Sequence, residues 1–141
     1  VPNFAVLVQC REFRILQVAI NLLGNALDAV KNLPTRWIRV ELLVGEKAEL
    51  RITDSGSGIP SEIRHQIFQP FFTTKPSGQG IGLGLSISSE IMLEHGGTLS
   101  VSDAHRNTQF VLGLALDPTQ GRRPGSAKPF APRRFLGDLR A

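Results

Sequence analysis

Apolar positions recur every three to four residues from Glu12 to Leu33. Phe13, Leu16, Ile20, Leu23 and Leu27 share one helical spacing, and Pro34 stops the run. Beyond it the period changes to two. Trp37–Val44 and Ala48–Asp54 read as two strands around a Gly45-Glu46-Lys47 turn, with Ile38, Val40, Leu42 and Val44 on one face of the first. Ala48, Leu50, Ile52 and Asp54 share a face of the second. The pattern then predicts a short helix over Ser61–Phe68, a glycine-rich loop, and a helix from about Gly82 to His95 closed by Gly96-Gly97. Thr98–Asp103 and Thr108–Leu116 finish as strands. Hairpin-joined strands with interspersed helices predict an α+β two-layer sandwich, its mixed, mostly antiparallel sheet covered on one face by helices.

Three segments depart from plain core patterning. Asp54 shares the inward face of its strand with Leu50 and Ile52, so its carboxylate needs hydrogen-bond donors. Ser55-Gly-Ser-Gly-Ile59 follows as a turn in which a flat ligand could approach the backbone; an Asp turn at a strand end is equally a purely structural device. Asn21 and Asn25 lie one helical turn apart. Their amides compete for the backbone and need partners, and an amide oxygen suits Mg²⁺ as readily as it suits a helix surface. Gly78, Gly80, Gly82 and Gly84 alternate through seven positions, which marks either a flexible linker or a backbone that must come close to something.

Composition narrows the classes. The chain has 141 residues, enough for one domain with its own core. One cysteine, Cys10, cannot form an internal disulfide, which suits a reducing compartment. No apolar run approaching the roughly 20 residues of a bilayer span is expected, nor a signal-peptide pattern at the N-terminus, and a soluble chain is expected. The net charge of +4 is concentrated at one end, because residues 121–141 hold six basic groups against Asp138 alone. The other 120 residues carry ten basic and eleven acidic groups, which argues against a nucleic-acid-binding face. The expected division is a domain over 1–117 and a flexible basic, Pro-rich tail over 118–141.

In order, these segments resemble the ATP-binding catalytic domain of bacterial sensor histidine kinases, within the Bergerat fold shared by gyrase, Hsp90 and MutL ATPases. Asn21–Ala29 resembles the N box and Asp54-Ser-Gly-Ser-Gly58 the first Gly box. Phe68-Gln-Pro-Phe-Phe72 resembles the F box, Gly80-Ile-Gly-Leu-Gly-Leu85 the second Gly box, and Gly96-Gly97-Thr98 with Thr108-Gln109-Phe110 the closing segment. The wording Phe-Phe-Thr-Thr-Lys-Pro is most similar to nitrogen-regulation and dicarboxylate-transport sensor kinases. Asn107 stands where the family usually has Gly before the last strand, and Asn tolerates the left-handed angles such a turn uses.

The resemblance implies ATP and Mg²⁺ as ligands. Asp54 would accept a hydrogen bond from the adenine amine and reject guanine. Gly56, Gly58 and Ile59 would border the base and sugar, with Thr108 beside them. Asn25 would hold the metal, with Asn21 and Asp28 near the phosphates. Phe71, Thr73, Thr74 and Lys75 would line the approach to the loop, and Lys75 would reach the β- or γ-phosphate as a point charge. Gly80, Ile81, Gly82, Leu83, Gly84 and Leu85 would fold over the triphosphate and present N–H groups at a helix start. Gly78 would act as the hinge. The catalytic set is Asn21, Asn25 and Lys75.

In hydrolysing relatives a glutamate occupies the place of Asn21. An amide cannot take a proton at neutral pH, so the implied activity is transfer of the γ-phosphate to a histidine, with slow hydrolysis. The acceptor would lie on a dimerisation segment outside this chain. His65, four residues before Pro70, imitates an acceptor motif but overlaps the F box and has no heptad pattern around it. The implied partners are that dimerisation segment and a downstream response regulator, with no nucleic acid and no membrane contact, in the cytoplasm. A gyrase- or Hsp90-type ATPase and a nucleotide-sensing domain without catalysis remain the alternatives.

Overall fold

The computed structural model describes residues 8–117 except Ser77, Gln79 and His105, and the backbone of residues 133–140. Helix α1 spans Glu12–Val30. Strands β1 (Trp37–Val44) and β2 (Lys47–Asp54) form a hairpin. A single 3₁₀ turn, Ser61–Ile63, replaces the expected short α-helix, and the chain continues in turns to Phe71. Helix α2 (Gly84–Glu94) leads into β3 (Thr98–Val101), and β4 (Gln109–Ala115) returns beside it.

The sheet order is β3-β4-β2-β1-β5, with β5 covering Arg133–Arg140. Every adjacent pair is antiparallel, where the sequence pattern had allowed a mixed sheet. The fifth strand corrects the expectation of a flexible tail for these eight residues. An exposed strand edge presents a row of unpaired N–H and C=O groups, and β5 satisfies them along all of β1, from Trp37 opposite Arg140 to Val44 opposite Arg133. Arginine-rich composition hid a segment that pairs through its backbone. Residues 118–132, also assigned to the tail, lie outside the described residues, as does His105.

Alternation sets the register of the inner face. Val40 stands opposite Ile52, which stands opposite Phe110; Leu42 opposes Leu50, which opposes Leu112. Both helices cover this face. Val18, Leu22 and Ala26 of α1 and Ile91 and Met92 of α2 pack with Ile52, Phe110 and Leu112 in one core cluster. Truncating the fully buried Leu22 to Ala would cost about 2–5 kcal/mol.

The helical spacing read from the sequence proves real, but it marks the wrong face. Phe13, Leu16, Ile20 and Leu27 are exposed, and the buried stripe is Val18, Leu22, Ala26 and Val30. Two apolar faces make α1 apolar and long enough, by length and composition alone, to cross a membrane, which corrects the expectation that no apolar run approaches that length. Its buried stripe supplies four of the twelve buried residues of the core cluster.

Candidate functional site

Asp54 ends the inward row of β2, opposite Ile38, and is 3 % exposed. Its Oδ1 accepts a 2.7 Å hydrogen bond from the Gly56 amide, and the Thr108 hydroxyl also donates to the carboxylate. Burial holds the carboxyl pKa above its ordinary value, and these two hydrogen bonds only partly offset it. A carboxylate offers about four lone-pair sites, so two donors from the protein leave acceptor capacity for a ligand.

The turn after Asp54 is shaped around that carboxylate. A Cβ at Gly56 would stand 2.6 Å from Asp54 Oδ1, so any side chain there displaces the acid. Gly58 has φ +87°, and a Cβ there would meet the Arg106 carbonyl at 2.7 Å. Asn107 does not adopt the left-handed backbone expected of it, because Phe71 is the one non-glycine with positive φ among the described residues. Instead its amide donates to the Gly56 carbonyl at 2.9 Å and ties the turn to the approach of β4. Ile59 packs half-buried against the core.

Asn21, Asn25 and Asp28 lie at i, i+4 and i+7 of α1, one line along the helix. Each has a different fate. Asn21 Nδ2 donates to Ser88 Oγ at 2.9 Å, and its Oδ1 sits so close under Gly84 that an added Cβ would collide with it. Asp28 Oδ2 takes Lys75 Nζ at 2.5 Å, and Lys31 lies 3.9 Å from its other oxygen. Lys75 lowers the Asp28 pKa, first by hydrogen bonding and then by its charge. Between them the half-buried Asn25 amide has no hydrogen-bond partner among the described residues.

The loop carries its own geometry. Phe71 adopts φ +66° and its N–H donates to the Gly82 carbonyl at 2.8 Å. Gly82 has φ +74°, and a Cβ there would lie 2.5 Å from the Phe71 carbonyl carbon. Thr73 Oγ1 accepts the Lys75 amide at 3.1 Å, while Thr74 is exposed. Gly80 packs against the Lys75 stem. Phe71 and Ile81 are 71 % and 74 % exposed, whereas Leu85 packs on the core. Helix α2 begins at Gly84 after Leu83 with no side-chain hydrogen bond from its N-cap residue, so no capping side chain claims its first N–H groups. Gly78 has φ +86° and open space around it, as a pivot would.

The structure thus brings Asn21, Asp28, Lys75 and the start of α2 together on one side of α1, and Asp54, Gly56, Gly58 and Thr108 together at the end of β2. The sequence missed two partners, Ser88 and Asn107. Ser88 shares the α2 face of Gly84 one turn on, which the spacing could have disclosed. A separate hollow of about 580 Å³, lined by Gln9, Cys10, Arg11, Glu94 and His95, lies at the far ends of the helices. Its polar groups satisfy one another: His95 Nε2 accepts the Arg11 amide, His95 Nδ1 bonds the Ile91 carbonyl, and Arg14 pairs with Glu94 at 3.7 Å.

Residues 10–118 match the family described as histidine kinase-, DNA gyrase B- and HSP90-like ATPases. The catalytic domain of the histidine kinase ThkA has the same fold, with a TM-score of 0.65 and 35 % identity over 77 % of this chain and 70 % of that one. The chain belongs to this family, as a catalytic domain of the histidine kinase type. The two-component sensor PprA of Pseudomonas aeruginosa is 37 % identical over 82 % of the chain and 13 % of its own length. The C4-dicarboxylate transport sensor protein DctB of Rhizobium meliloti is 42 % identical over 72 % of the chain and 16 % of its own, in line with the dicarboxylate-transport wording of the glycine loop. The chain spans about a sixth or less of these two relatives. Strand β5 lies beyond the matched residues.

Proposed function

We propose that this domain binds Mg²⁺-ATP and donates the γ-phosphate to a histidine carried on a dimerisation segment of the same protein, on the cytoplasmic side of a sensor that signals to a response regulator. One observation carries the reading: along a single line of α1, Asn21 touches the start of α2, Asp28 holds Lys75, and Asn25 stands free between them. An open helix start and a loop lysine are the donors a triphosphate needs.

The donor set fits Mg²⁺. Asn25 offers a hard neutral oxygen without a protein partner, and a hydrated Mg²⁺ asks for few protein ligands. Bound there, the metal would neutralise charge on the phosphates. Asp54 would orient the purine by accepting from an exocyclic amine, with Gly56, Gly58, Ile59 and Thr108 forming the wall around it. Thr73, Thr74, Lys75 and the Gly80–Leu85 run would close over the phosphates, Lys75 exchanging Asp28 for a phosphate oxygen. Asn21 fixes α2 through Ser88 and presents no group able to take a proton from water. That chemistry favours a phosphoryl donor over a hydrolase, with hydrolysis below about 1 s⁻¹.

The test is calorimetric titration of ATP and GTP with and without Mg²⁺, followed by phosphotransfer from ATP to a supplied dimerisation segment. ATP selectivity, metal dependence and a phosphohistidine product are expected. Equal binding of both nucleotides would remove the assignment of Asp54, and ATP binding without transfer would leave a nucleotide-sensing domain.

A further inference from the structure

The outward face of α1 has no role in the site, and only its border residue Leu23 also packs against the core. Phe13 (77 % exposed), Leu16 (53 %), Ile20 (60 %) and Leu27 (54 %) lie on it, with Leu23 half-buried at its border. Their steps run three, four, three, four, which is the a/d spacing that seats another helix knobs-into-holes. A lipid surface needs no such alternation. The basic residues bordering the stripe are also already paired, Arg14 with Glu94 and Lys31 with Asp28, rather than free for headgroups. A second feature is Gly24, exposed in mid-helix, where an added Cβ would meet nothing within 4 Å. Glycine there weakens the helix relative to alanine and relieves no contact inside the chain. It does lower the outward face between Ile20 and Leu27, so that a second backbone can come close.

We infer that this stripe is a self-association surface, packed antiparallel against α1 of a second copy of this chain. The spacing is self-complementary in that direction. With the two-fold axis between positions 21 and 22, Leu16 falls opposite Leu27 of the other copy and Ile20 opposite its Leu23, and each pairing occurs twice. The exposed apolar surface is on the order of 400 Å² per copy, the upper range for a monomer, yet below the roughly 800 Å² per partner of a standard interface. The expected association is therefore weak and reversible. It is independent of nucleotide, because Asn21, Asn25 and Asp28 occupy a different face of the helix.

Sedimentation velocity of the chain from about 10 μM to about 1 mM tests this, beside Ile20→Glu and Phe13→Ser. Concentration-dependent dimer is expected for the parent, with at least a tenfold weaker association for Ile20→Glu and an intermediate loss for Phe13→Ser. Circular dichroism melts of both variants should overlay the parent, since neither side chain belongs to the core. A parent that stays monomeric at 1 mM, or an Ile20→Glu chain that dimerises unchanged, overturns the proposal. So does co-sedimentation of the parent with anionic vesicles that Ile20→Glu abolishes, which would assign the stripe to a lipid surface.

Discussion

Lys75 Nζ lies 2.5 Å from Asp28 Oδ2, joining the glycine loop to the helix that carries both asparagines. The side chains are 35 % and 45 % exposed, so water screens the pair and its contribution to stability is below about 1 kcal/mol. Its larger effect falls on binding, because a phosphate must take Lys75 from this carboxylate. Asp28→Asn should therefore tighten Mg²⁺-ATP about threefold to tenfold, more at low salt, while barely moving the melting temperature. Titration at two ionic strengths measures it. Unchanged or weaker binding would mean that Asp28 itself helps hold the nucleotide or its metal.

Asp54 sets function against stability. Its folded pKa is raised by burial above the unfolded value, so the folded state holds the proton more tightly. As pH rises from the ordinary carboxylate range through the raised folded value, this group makes folding progressively less favourable. The cost is fully present above that value. Asp54→Asn removes the ionisation and keeps an oxygen for the Gly56 amide. The variant should melt no lower than the parent at pH 7 and lose the parent's decline in stability across that window. ATP binding should nonetheless weaken about 10- to 100-fold, the loss expected for a hydrogen bond to a charged acceptor. Melting curves from pH 4 to 7 with parallel titrations check both halves. A destabilised variant would show that the ionised form is the better fit to this fold.

Much of this was legible in the sequence, for reasons that differ by residue. The apolar residues of β2 fall on every second position, Ala48, Leu50 and Ile52, and a period of two fixes which face is inward, so Asp54 could be placed beside the core from the sequence. A helix gives no such guarantee. Phe13, Leu16, Ile20, Leu23 and Leu27 repeat as well as Val18, Leu22, Ala26 and Val30 do, and only tertiary packing chooses between the stripes. Strand β5 was hidden because backbone pairing with an open edge makes little demand on side-chain type. Asn107 was legible for the left-handed angles it tolerates, while its amide makes the contact that ties the turn to Gly56. The chemistry of the Gly boxes was visible as spacing; the contacts that require the glycines were not.

The two asparagines should separate cleanly on mutation. Asn21→Ala removes the hydrogen bond to Ser88, which is 2 % exposed and would keep a buried hydroxyl without its partner. A loss of about 1–3 kcal/mol is expected. Asn25→Ala removes no protein hydrogen bond and should leave unfolding nearly unchanged. Its defect should appear as loss of the Mg²⁺-dependent part of ATP affinity, with metal-free binding retained. Denaturant unfolding of both variants, with ATP titrations in Mg²⁺ and in chelator, distinguishes them. If Asn25→Ala lost as much stability as Asn21→Ala, the amide would be a structural group and the metal would need another ligand.

The glycines of the loop can likewise be sorted by what stands against them. Gly82 has a left-handed backbone and the Phe71 and Phe72 main chain against its Cα, so Gly82→Ala meets both backbone strain and a clash. Gly84 has no left-handed backbone, and the atoms nearest an added Cβ there all belong to the Asn21 side chain. Gly82→Ala should therefore destabilise the loop and weaken ATP whatever occupies position 21. Gly84→Ala should act through Asn21 alone, and pairing it with Asn21→Ala should recover part of the loss. A double-mutant cycle in urea reads this as a coupling of about 0.5–3 kcal/mol between positions 21 and 84 and a value near zero between 21 and 82. Additive losses at 21 and 84 would mean that the glycine serves the approach of a ligand to the helix start rather than the seat of Asn21.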